Sequence, residues 1–174
     1  LRQLVRVGGL ELGQAAVLED QARQLVALLG QLLAQAAGKP IWLAMTVDDT
    51  DGTRLRSGEP LADVLPVVDG AAALLVNCAA PEAMPAALNI LARAGLPFGA
   101  YANAFTIITK AFLDGGTTAD DLSARQDMTP DIYADHAMGW VDQGATIIGG
   151  CCETGPAHIA EIAQRLRAAG HDIV

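Results

Sequence analysis

Three cysteines are the residues of this chain best placed to do chemistry. Cys151 and Cys152 are adjacent and directly follow Gly149 and Gly150, in the run GGCC. Cys78 lies 73 positions before Cys151 and closes the apolar run AALLVNC. Neighbouring side chains on a strand point to opposite faces. Two adjacent thiols can therefore meet at one point only where the chain leaves the strand conformation. The pair of glycines is expected to supply that freedom, because glycine accepts backbone angles other residues avoid. Three thiolates suit Zn2+, and a three-ligand site keeps a tetrahedral position open, which marks catalytic zinc rather than structural zinc. His136, His158 and His171 have no metal-ligand spacing to one another. The residues thus point to a thiolate metal site, zinc by its donor chemistry and catalytic by its open position. Two other readings stay open. A lone cysteine such as Cys78 also serves as a small buried hydrophobe. A redox pair is disfavoured, because there is no CxxC and vicinal cysteines close a strained ring.

The elements around these residues follow from apolar periodicity and turn signals. Five short apolar runs read as strands, at 4–10, 41–47, 72–78, 96–101 and 145–149. Between them lie helical patterns: Glu19 to Ala37, a short one from Leu61 to Val68, and Pro81 to Ala94, stopped by Gly95. Thr129 is the expected N-cap of a helix running to Gly144, with Pro130 at its first position. Pro156 opens a last helix, with Ile159, Ile162 and Leu166 as its apolar stripe and Gly170 as its stop. The stretch from Ala102 to Met128 is irregular. Continuous apolar strands alternating with helices define an α/β fold with a parallel sheet. The pattern leaves open a (β/α) barrel and a doubly wound sheet. In both, ligands sit beyond the C-terminal strand ends, where all three cysteines fall.

Composition narrows the partners. The chain of 174 residues carries a formal net charge of −9, with no basic run. Nucleic acid, which needs clustered Lys and Arg, is not an expected partner, and an anionic membrane is disfavoured by the same sign. No apolar run is long enough for a membrane span. The three cysteines are an odd number and fit reduced thiols. With no targeting signal read at the start, a cytoplasmic protein is expected.

Several segments resemble the homocysteine S-methyltransferase family. They are VNC (Val76 to Cys78) and GGCCETGPAHI (Gly149 to Ile159), with PFGAYANA between them and GWVDQGATIIGGCC leading into the second. KPIWLAMTVDDTDGTRLRSG is similar to the family's fifth strand and the loop after it. The resemblance extends from about Lys39 to about Arg167. It departs at Ala102, where the family's Tyr-Pro-Asn segment has proline, whereas Asn103 is kept. The resemblance implies a (β/α)8 TIM-type barrel, of which this chain supplies roughly strands four to eight, as a single domain over residues 1–174 that is incomplete on its N-terminal side. It implies zinc held by Cys78, Cys151 and Cys152, with the sulfur of homocysteine as a further ligand. The reaction implied is methyl transfer from a small sulfonium, ammonium or folate donor to homocysteine, giving methionine. Glu11 is matched to an acidic residue that holds the substrate's amino group.

Thr46 and Asn103, polar residues at strand ends, are further substrate-binding candidates, and the backbone of Gly149 and Gly150 is expected to let the substrate approach. Asp48, Asp49 and Asp51 lack the terminal Glu and flanking helices of a calcium loop, and read as a solvated turn. Glu153 and His158 stand next to the cysteines and could support the ligands, but helix-start capping and solvation are the favoured readings for both. Open sheet edges leave three readings: a fragment, the ordered part of a longer chain, or two copies that bury each other's edges as a homo-oligomer. The alternative functions are a catalytically inactive zinc- or thiol-binding remnant acting as an interaction module, and a parallel α/β protein whose cysteines only pack.

Overall fold

A computed structural model describes residues 40–68, 70–106, 108, 115 and 122–174. Glu11, the first expected strand and the helix from Glu19 to Ala37 lie outside the described residues. The other four apolar runs form four parallel strands: β1 (Trp42–Thr46), β2 (Ala73–Asn77), β3 (Phe98–Ala102) and β4 (Ile147–Gly150). Their order in the sheet is their order in the sequence. No strand order reverses among the described residues, and a reversal is what defines a doubly wound sheet.

Register separates two faces. Leu43 pairs with Leu74 and Met45 with Val76, and the same row continues through Phe98, Ala100 and Ile148. This face packs into one core with three helices: α1 (Met84–Leu91), α2 (Pro130–Asp142) and α3 (Pro156–Ala168). Leu88, Leu91, Tyr133, Ala137 and Trp140 are among its fully buried helical members. The opposite face carries Trp42, Ala44 and Thr46 on β1, Leu75 and Asn77 on β2, Tyr101 on β3, and Ile147 and Gly149 on β4. Gly99 lets β3 and β4 approach: a Cβ there would lie 1.8 Å from the Ile147 carbonyl oxygen.

Four expectations about helices change in detail. The segment Leu61–Val67 is 3-10 rather than α, with Pro66 inside it. Proline has no N–H for the α ladder. The element opened by Pro81 begins with a 3-10 turn (Pro81–Ala83), continues as α1, and ends in a second 3-10 turn (Ala92–Ala94) with Gly95 left-handed at φ 68°. Thr129 holds the extended N-cap conformation, but its hydroxyl bonds Asp131 and caps no backbone N–H. The apolar stripe of α3 is narrower than its spacing suggests: Ile162 is buried, while Ile159 is exposed.

Candidate metal centre

The three cysteines converge at the C-terminal end of the sheet. Cys78 is the first residue after β2, and Cys151 and Cys152 are the first two after β4, with β3 between. Cys152 Sγ lies 3.8 Å from Cys78 Sγ and 3.8 Å from Cys151 Sγ, and all three sulfurs are within 4.8 Å of one another. Cys78 and Cys151 are half-buried and Cys152 is exposed.

Backbone hydrogen bonds carry each cysteine past the end of its strand. Cys78 N–H donates to the Tyr101 carbonyl at 3.0 Å, and Cys151 N–H to the Ala102 carbonyl at 2.8 Å. The Cys152 carbonyl accepts from Ala104 N–H at 3.0 Å. The expectation about the glycines needs correction. Gly149 and Gly150 remain in β4 and neither has a positive φ. The left-handed residues are Cys78, at φ 49°, and Glu153, at φ 61°. Such a conformation costs a non-glycine residue about 1–2 kcal/mol. What Gly150 supplies is room: a Cβ there would sit 2.2 Å from Thr154 Oγ1 and 2.8 Å from Thr154 Cβ. Thr154 closes the turn after β4, its hydroxyl donating to the Cys151 carbonyl at 2.7 Å.

The left-handed turn at Cys78 is held by side chains from two other loops. Its carbonyl accepts from Asn103 Nδ2 at 2.7 Å and from Arg56 Nη2 at 2.9 Å. Arg56 Nη2 also pairs with Asp49 at 2.9 Å, and the same Asp49 oxygen accepts from Ala80 N–H at 2.9 Å. The aspartate loop is therefore two things. Asp48 and Asp51 cap their own turns, receiving the hydroxyl and N–H groups of Thr50 and Thr53. Those bonds hold both carboxyls below the usual range. Asp49 instead turns inward to the Cys78 segment, which the sequence reading missed.

The remaining candidates divide by position. Asn103 is 1% exposed, and its Oδ1 accepts from Phe105 N–H at 3.0 Å. Both ends of its amide are thus committed to backbone behind the cysteines. Thr46 lies on the face opposite the helices, where it donates to Asn77 Oδ1 at 2.7 Å, and Tyr101 stands beside Asn77 on the next strand. Burial pushes the Tyr101 phenol up. This row, one residue below the sulfurs, was not singled out from the sequence apart from Thr46. His158 does not face the sulfurs: Nδ1 accepts from Gly155 N–H and Nε2 pairs with the Met128 carbonyl, both at 3.0 Å. Glu153 is exposed. His158 is a helix-start residue that caps, as expected, whereas Glu153 stands solvated in the left-handed turn before the helix.

The sulfurs suit a metal. Zinc–sulfur bonds of about 2.3 Å in a tetrahedron place sulfurs about 3.8 Å apart, the separation found here for two of the pairs. The thiols also compete for charge. Donation to Cys151, and then burial, push the Cys78 thiol far up, while accepting that bond holds Cys151 below the usual thiol value. A divalent cation is what allows three such close thiols to ionise together.

Fold and site together define a parallel α/β protein with a three-thiol centre at the C-terminal end of its sheet. The profile of the homocysteine S-methyltransferase family matches residues 15–166, and the chain belongs to that family. It is 32% identical over 145 residues to homocysteine S-methyltransferase 4 of Zea mays, covering 76% of this chain and 38% of that protein. It is 32% identical over 144 residues to homocysteine S-methyltransferase of Escherichia coli, covering 79% of this chain and 42% of the relative. Methionine synthase of Mycobacterium tuberculosis matches at 31% identity over 169 residues, 90% of this chain and 13% of that protein. The chain thus spans about two fifths of the length of the first two. Among the described residues, no helix is long and apolar enough to cross a membrane.

Proposed function

We propose that this chain carries the metal half of a homocysteine S-methyltransferase site, and that the whole enzyme transfers a methyl group to the thiol of homocysteine to form methionine. The observation that carries this reading is the meeting of Cys78, Cys151 and Cys152 at the C-terminal strand ends. These three would hold Zn2+. When bound, the ion would keep a substrate thiol ionised near neutral pH. In the reaction a sulfur–methyl bond forms, the donor–methyl bond breaks with its electron pair leaving on the donor, and the thiol proton is released. The chain's own part is positioning. The turns after β2 and β4 aim the sulfurs. The backbone at Gly149 would let substrate approach, while the space beside Gly150 is taken by Thr154, and the Thr46–Asn77–Tyr101 row offers polar groups to the amino-acid end of the substrate. Glu11 is proposed to contact the substrate amino group.

The four strands fit one side of a (β/α)8 barrel wall, because they run in sequential order and the described helices all pack on the same face. A reducing cytoplasm would keep the thiols available.

Metal analysis and methyl transfer test the reading. Protein purified under reducing conditions should carry near one zinc per chain, and Cys151→Ser should lose it. Labelled methyl transfer to homocysteine, tried with sulfonium, ammonium and folate donors, should fall to background in the same variant. Well-folded wild type that takes up no zinc would overturn the proposal.

A further inference from the structure

Cys78 must adopt a costly left-handed conformation for its sulfur to reach Cys152. Nothing in the VNC segment itself favours that turn. Its carbonyl, however, accepts two side-chain donors at once, one from the loop after β1 and one from the residue that follows β3. The first donor, Arg56, is itself fixed by Asp49, and Asp49 reaches on to the N–H of Ala80, two residues past Cys78. A second Asp49 oxygen lies 3.4 Å from Ile108 N. Three strand-end segments are thereby tied to one peptide group.

We infer that Asp49, Arg56 and Asn103 act as a clamp on the Cys78 turn and set the metal affinity of the three-cysteine centre as positioning residues. The inference rests on the proposed zinc site and adds residues to it. The clamp acts through the geometry of the turn. Arg56 and Asp49 are both mostly buried, with side chains 18% and 17% exposed, and they neutralise each other. Together they offer a fixed fork whose one nitrogen serves both carboxylate and carbonyl. Partners that orient metal ligands typically account for about 10–100-fold in affinity. A ligand held by its backbone carbonyl belongs to the same class of support.

The test is a zinc titration against a competing chelator, with the cobalt-substituted protein read by its sulfur-to-metal charge-transfer absorption. Arg56→Met should weaken zinc about 10–100-fold and alter the cobalt band, while the thermal midpoint of the metal-free protein stays within a few degrees of wild type. Asn103→Ala should do the same where it folds; Arg56 sits in a loop, so its variant keeps the test decisive if the buried asparagine cannot be replaced. Arg54→Met is the control: Arg54 pairs with Asp51 and the Gly58 carbonyl and does not touch the Cys78 turn. It should bind zinc as wild type does. Wild-type affinity and an unchanged cobalt band in Arg56→Met would overturn the clamp and leave the zinc site standing. Failure of wild type itself to bind zinc would overturn both.

Discussion

At the scale of single residues, the site is governed by where a methyl group can and cannot be accommodated. Gly150 has an ordinary strand conformation, so its requirement for glycine is spatial. An added Cβ would meet Thr154 Oγ1 at 2.2 Å and Thr154 Cβ at 2.8 Å. Rotating the hydroxyl away relieves the first contact but not the second, because Cβ is fixed to the backbone. Gly150→Ala is therefore expected to cost about 1–3 kcal/mol, the usual range for overpacking. In a Thr154→Gly background the added cost should fall below about 0.5 kcal/mol, which a double-mutant cycle by urea denaturation would measure. An unperturbed single variant would show that the turn relaxes freely. The sequence disclosed that GGCC was special but suggested the wrong reason. Backbone freedom and side-chain room both select glycine, and only coordinates separate them. Asp49 and Arg56 were hidden for a related reason: their partners lie 31 and 22 residues away, with no local pattern to mark them.

At the scale of elements, α2 is anchored to the sheet by one phenol. Tyr133 is fully buried, and its hydroxyl reaches the Gly149 carbonyl at 2.9 Å and the Ala102 carbonyl at 3.1 Å, at the ends of β4 and β3. Its ring also meets Trp140 and His158 edge-on, with centroids 5.8 Å and 5.7 Å away. Tyr133→Phe keeps these ring contacts and removes only the O–H donor. A net loss of about 1 kcal/mol is expected, rising towards 3 if the Gly149 carbonyl is left unsatisfied; the Ala102 carbonyl keeps the Cys151 N–H. Chemical denaturation would measure it, and an unchanged midpoint would mean water replaces the hydroxyl. The strands were legible because runs such as ALLVN lack polar alternation, which only a strand covered on both sides tolerates. Helix stops were legible where Gly95, Gly144 and Gly170 take positive φ. The 3-10 segments were not, since 3-10 and α turns share the same apolar spacing over so few residues.

At the scale of the whole molecule, the metal would join parts of the chain that the sheet leaves one strand apart. Cys78 follows β2 and the vicinal pair follows β4, so an ion bound to all three would bridge over β3 and close the chain segment between them. A ligand that binds the folded state alone stabilises it by RT ln(1 + [L]/Kd), about 2.7 kcal/mol at a hundredfold excess over Kd. Above saturation, each further tenfold rise in free zinc should add about 1.4 kcal/mol. The thermal midpoint should therefore climb steadily with buffered zinc, fall when a chelator is added, and recover on restoring the metal. Cys151→Ser, which removes one of three donors, should melt at a midpoint nearly independent of zinc. Binding of zinc by cysteines of the unfolded chain would flatten the wild-type slope but not give the mutant one. A wild-type midpoint that ignores zinc over concentrations sufficient to load the site would mean that the three sulfurs meet without metal holding the two halves of the sheet together.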